Sequence, residues 1–89
     1  MTIEDLKSGS LYVIGANDRN RPLWAKFGRQ GWTWCPNLLD AEAFDTKERA
    51  DAHRLRDRGL KEAKSWLDPK VRRTVETLKV TMQWRIEGC

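Results

Sequence analysis

The chain has 89 residues, 39% apolar and 34% charged, with five tryptophans, enough for one domain over residues 1–89 with a modest aromatic core and too few for two. Lysine plus arginine number 17 against 13 acidic residues, a net charge of +4; through Asp45 five basic residues face six acidic, and from Thr46 onward twelve face seven. This excludes an acidic mimic of nucleic acid and turns the C-terminal half toward an anionic partner.

No run approaches the ~20 apolar residues that span a bilayer, and "MTIEDLKSGS" lacks the basic-then-apolar order of a secretory leader. A soluble, cytoplasmic protein is expected, with Cys35 and Cys89 as free thiols.

"SLYVIGA", residues 10 to 16, mixes β-branched and aromatic residues and predicts a first strand, which "NDRNRP" turns toward a second that begins after Pro22. "LWAKF" and "WTWC" flank "GRQG", whose glycines suit a tight hairpin. Closing that hairpin at Gly28 and Gly31 sets Phe27 opposite Trp32 and Ala25 opposite Trp34, and cross-strand partners share a face. Leu23, Ala25, Phe27, Trp32 and Trp34 then form one apolar surface, while Trp24, Lys26, Thr33 and Cys35 point the other way.

"FDTKERADAHRLRDRG" predicts the main helix, with Asp45 as N-cap, Glu48 in capping-box position and Gly59 as the stop. Its apolar stripe is thin: Ala50, Ala52 and Leu55. Arg49, His53 and Arg56 follow one another at helical spacing, as do Arg54, Arg58 and Lys61. "LKEAKSWLDP" adds a further helical turn or two. Asp68 as cap and Pro69 at the first position allow a short second helix that carries Val71, Val75 and Leu78. From Leu78 the pattern alternates strictly, with Leu78, Val80, Met82, Trp84 and Ile86 on one face and Lys79, Thr81, Gln83, Arg85 and Glu87 on the other. The expected fold is α+β and two-layered, an antiparallel sheet of about four strands packed on one main helix, with Trp32, Trp34, Phe27, Met82 and Trp84 under the helix.

No set of residues names a reaction. One histidine and three serines stand without a catalytic motif, Cys35, His53 and Cys89 lack zinc spacing, and "GRQGW" is too short for a phosphate loop and leads into a strand. A non-enzyme without cofactor or metal is expected. Two binding surfaces remain. The first is the helical row Arg49, Arg54, Arg56, Arg58 and Lys61, continued by Lys64, Lys70, Arg72 and Arg73, which suits phosphates or an acidic protein patch. The second is the sheet face away from the helix, where Trp24, Lys26, Thr33, Lys79, Thr81, Gln83 and Arg85 resemble a base-stacking surface.

The order "YVI", "LWAKFGRQGWTW" and "DAEAFDTKERADAHRL" resembles a kind of small α+β domain encoded by phages and prophages, with an opening strand, a W…GWT hairpin and a characteristic helix start. The positions that carry it are Tyr12, Trp24, Gly31, Trp32, Thr33, Ala41, Phe44, Thr46 and Ala50. It covers roughly residues 10 to 55, and the tail from Leu60 departs from it. The resemblance implies an inhibitor of the anti-CRISPR type that occludes a host nucleic-acid-handling defence complex, here through a basic surface on an acidic patch. Direct binding of DNA or RNA is the alternative.

Overall fold

Ten residues, Gly9–Asp18, form β1, around which the rest of the chain is arranged. The structure is a computed structural model and describes residues 9–82. The other strands are β2 (Arg21–Gly28), β3 (Gly31–Cys35), the two-residue β4 (Ala43–Phe44) and β5 (Glu76–Met82); α1 (Lys47–Arg56), α2 (Arg58–Ser65) and α3 (Pro69–Arg72) lie between β4 and β5 in sequence. The class is α+β with an antiparallel sheet. The described residues form five strands and three helices, where about four strands on one main helix were expected.

Both hairpins close on two-residue loops, since Asp18 pairs with Arg21 and Gly28 with Gly31. The second has the expected register, Phe27 opposite Trp32 and Ala25 opposite Trp34. In the first, Arg19 (φ 51°) and Asn20 (φ 69°) are both left-handed, as a type I′ turn requires. Asparagine tolerates that conformation, whereas for arginine it costs about 1 kcal/mol. Pro22 lies inside β2 rather than ahead of it.

β5 runs along one edge of β1, from Met82 opposite Gly9 to Glu76 opposite Gly15. The other edge is shared. β2 pairs with Gly15 to Asp18, and β4 sets Phe44 opposite Tyr12 and Ala43 opposite Val13. The Glu42 amide donates to the Ala25 carbonyl at 3.0 Å, so residues 42–44 fill the gap that opens where β2 turns away from β1.

Alternation along β1 sends Leu11 and Val13 to one side and Ile14 to the other, and both sides are buried. Under α2, Ile14, Ala25 and Trp32 pack with Leu60 and Ala63, flanked by Trp34, Phe44 and Val75. On the opposite face Leu11, Val13, Ala41 and Ala43 pack with half-buried Trp24, Leu38, Leu78 and Val80. A 3-10 turn at Leu38–Asp40 brings Leu38 to this second core. The apolar side of β5 therefore joins Trp24, not Trp32 and Trp34 as expected, because Val80 pairs with Leu11 and Leu78 with Val13. Gly15 lies between them: a Cβ there would sit 2.8 Å from the Trp24 ring and 3.1 Å from Leu78. Trp32 is buried, Trp34 half-buried, and Phe27 is 56% exposed at the end of β2. Trp84, placed in the core by its alternation, lies outside the described residues with Gln83, Arg85, Ile86, Glu87 and Cys89, and the Met82 side chain is likewise not described.

The predicted main helix is two helices. Thr46, not Asp45, caps α1, its Oγ1 accepting from the Arg49 amide at 3.2 Å; Asp45 instead forms a surface ion pair with Arg49. Glu48 is then one residue short of the capping-box position. At Asp57 the backbone becomes extended (φ −74°, ψ 118°) and its carboxylate caps α2, accepting from the Leu60 amide. Gly59 is inside α2 rather than a stop. Asp68 caps α3 as expected, with Pro69 at its first position, and α3 ends at Arg72, so Leu78 belongs to β5. No helix among the described residues is long and apolar enough to cross a membrane.

Candidate functional site

α1 has one buried side chain, Ala50, while Ala52 and Leu55 of the expected stripe are exposed. Polar contacts hold the helix to the sheet instead. Arg54 Nε donates to Thr77 Oγ1 at 3.1 Å and its Nη2 lies 3.4 Å from Asp51 Oδ1, while the Thr77 hydroxyl donates to the same carboxylate oxygen at 2.6 Å. That hydroxyl is the main reason Asp51 titrates below the usual carboxylate range, against some desolvation. Arg54 is thus committed to β5 and is not part of a free cationic row.

Asp57 joins α1, α2 and β3. Its Oδ2 accepts from the Trp32 indole Nε1 at 3.2 Å and lies 3.0 Å from His53 Nδ1. Burial pushes this carboxyl up, but the bonds from His53, the Leu60 amide, the Trp32 indole and the Gly59 amide outweigh it, so the net shift is downward. The Trp32 ring also meets Phe27 at 5.2 Å, His53 at 6.0 Å and Phe44 at 6.5 Å between centroids, and Phe44 and His53 meet each other at 5.0 Å. His53 is therefore the polar edge of an aromatic cluster, a role its position between arginines did not reveal.

Of the remaining predicted cations, Arg49 is paired with Asp45 at 3.5 Å. Arg56, Arg58 and Lys61 are exposed at the α1–α2 joint and have no ion pair among the described residues. Lys64 is half-buried. Arg72 bends back so that Nη2 donates to the carbonyls of Ser65 and Leu67 at 3.0 and 3.1 Å. Lys70 and Arg73 are exposed. The second predicted surface does not assemble as one face: Trp24 packs on the second core and exposed Lys26 shares its side of the sheet, whereas Lys79 and Thr81 alternate with Leu78 and Val80 and so face the helix side. Arg85 lies outside the described residues.

The two cationic regions that remain lie at opposite ends of β2. At one end exposed Phe27 of β2, two residues from Arg29 in the β2–β3 loop, is tied through Trp32 to the joint with Arg56, Arg58 and Lys61. At the other, the β1–β2 tip carries exposed Arg19 and Arg21 beside α3.

Cys35 has a free, half-buried thiol 3.4 Å from the Asn37 carbonyl. Burial, helped by Asp40, raises its pKa against the Asn37 bond and Lys26, which makes it a weak nucleophile. Among the described residues no three histidine, cysteine or carboxylate side chains group as metal ligands. No protein-family model, curated protein or solved structure matches the chain.

Sequence reasoning missed Asp57, Arg19, Arg21 and Trp66. A cap at Asp57 was legible in "DRGL", an aspartate three residues before a buried leucine. The arginines at the turn were read only as turn formers, and Trp66 as part of a helical run.

Proposed function

We propose that the chain is a non-catalytic inhibitor of the phage type, anti-CRISPR-like, that binds and occludes a host nucleic-acid-handling defence complex through the cationic end at the α1–α2 joint. One observation carries this reading. Arg56, Arg58 and Lys61 have no ion pair among the described residues, and the joint they occupy is tied through Asp57 and Trp32 to Phe27, 56% exposed, with Leu55 of the same helix turn as Arg56 exposed to the same extent. Arginine with solvent-facing aliphatic and aromatic side chains is a composition that suits a protein interface. The acidic patch expected on the partner supplies charge complementarity and faster encounter. The sequence resemblance to phage-encoded domains supports the same choice of partner.

The test is charge reversal. Arg56→Glu with Arg58→Glu should leave the melting temperature unchanged, because both side chains are exposed, and should abolish capture and inhibition of the host complex. Reversing two acidic residues on the target's contact patch should restore both. Arg54→Glu is the wrong variant for this purpose, since it breaks the contacts to Thr77 and Asp51 and should destabilise the fold. If the Arg56→Glu, Arg58→Glu protein inhibits as well as wild type, the joint is only a solvated surface and the reading falls.

A further inference from the structure

At the far end of β2 from that joint, a cleft of about 920 Å³ opens between the β1–β2 tip and α3. Arg19, Arg21 and Lys70 line it together with Asn17, Asp18 and Asp68. The three cations form no ion pair among the described residues, and one oxygen of Asp68 is already occupied by the Lys70 amide at 3.0 Å. Next to the cleft the Asn17 amide donates to Thr74 Oγ1 at 2.7 Å, which fixes the hairpin to the segment after α3. Arg19 stands at the very tip of this hairpin, in the left-handed conformation that the two-residue turn requires.

Two residues before Asp68 stands Trp66, 62% exposed. Its turn is rigid, because Arg72 Nη2 holds the carbonyls on either side of it, those of Ser65 and Leu67. An exposed indole two residues from a cleft lined by three cations supplies the two elements with which proteins hold a single strand, a ring for bases and charges for phosphates. A duplex keeps its bases stacked on one another and leaves such a ring unused. The carboxylates of Asp18 and Asp68 would repel a plain polyanion, but they can accept from the amino groups on a base edge, as carboxylates do from cytosine N4.

From this we infer that the cleft and Trp66 form a binding site for single-stranded nucleic acid, separate from the surface at the α1–α2 joint. Arg19, Arg21 and Lys70 take the phosphates. Trp66 takes a base, and the two carboxylates favour bases that present amino groups.

The full chain is titrated with a short oligo(dC) strand, followed by tryptophan fluorescence at low salt, with oligo(dT), a duplex of the same length and a heparin fragment as comparisons. Oligo(dC) should quench the fluorescence and bind most tightly of the four, with a salt slope that drops by about 2 when Arg21→Glu and Lys70→Glu are combined. Trp66→Ala should weaken oligo(dC) binding about tenfold, in line with the loss of one stacked base, and Trp66→Phe should recover most of it; both side chains are in water, so melting temperatures should stay at the wild-type value. Arg56→Glu with Arg58→Glu should bind the strand as wild type does, which keeps this site distinct from the inhibitory surface. Equal binding of duplex or heparin, an unchanged affinity in Trp66→Ala, or loss of the strand in the Arg56→Glu, Arg58→Glu protein would each overturn the proposal.

Discussion

Asp57 shows how one residue can hold a small fold together. Its backbone amide ends α1 by donating to the His53 carbonyl, while its carboxylate caps α2, lies against His53 Nδ1 and satisfies the buried indole of Trp32. An asparagine in its place could still cap, but the charge-assisted bonds would be lost, so Asp57→Asn should cost about 1 to 2 kcal/mol at neutral pH. The sign of the pH dependence follows from the downward shift of this carboxyl. A group held below its unfolded value, near 3.9 for aspartate, contributes stability that is complete above that value and is lost as the pH falls through the folded one. The wild-type protein should therefore weaken below about pH 4, and Asp57→Asn should weaken less steeply there, Asp51 accounting for part of the slope that remains. Urea titrations at neutral pH and near pH 3 measure both effects, and identical slopes in the two proteins would show that Asp57 is not held low.

Among the elements, α1 departs furthest from the pattern of an amphipathic helix. With Ala50 as its one buried side chain, hydrophobic burial cannot dock it, and the Asp51, Arg54 and Thr77 triangle, the Asp57 joint and its N-cap do so. The cap separates two adjacent residues cleanly. Thr46→Ala should lower stability by about 1 kcal/mol, the usual cost of an uncapped first turn, whereas Asp45→Ala removes only an exposed ion pair and should change it by less than about 0.5 kcal/mol. Denaturant midpoints of the two variants decide the matter, and the reverse order would move the helix start back to Asp45. The error at Asp45 has a simple origin: "FDTKE" offers two adjacent capping side chains, and spacing to Glu48 favours the aspartate while backbone geometry selects the threonine.

At the scale of the whole molecule the sheet carries two cores on one central strand, Ile14 serving one and Val13 the other. Trp24 belongs to the second core, so Trp24→Ala should cost about 2 to 4 kcal/mol, toward the lower end of large-to-small core changes because the ring is half-buried. An exposed stacking ring would tolerate the change, and a single cooperative urea transition shifted to lower denaturant is the result expected. Much of this architecture was readable in the residues. Turn chemistry set both hairpins, the glycines at 28 and 31 set the register that joins Phe27 to Trp32, and Asp68 before Pro69 marked α3, because each of these depends on contacts within a few positions. The second core was also signalled: "LYVIGA" is apolar or small at every position, the mark of a strand buried on both sides. Alternation alone says which side chains of a strand travel together. It does not say which side of the sheet they reach, since that is fixed by pairing with a strand far away in sequence, Leu78 against Val13 and Val80 against Leu11. For the same reason the sequence by itself determined an α+β domain with a basic C-terminal half, and only the tertiary structure decided which cations are spent on holding it together, Arg54 and Arg72, and which are left facing water at the two ends of β2.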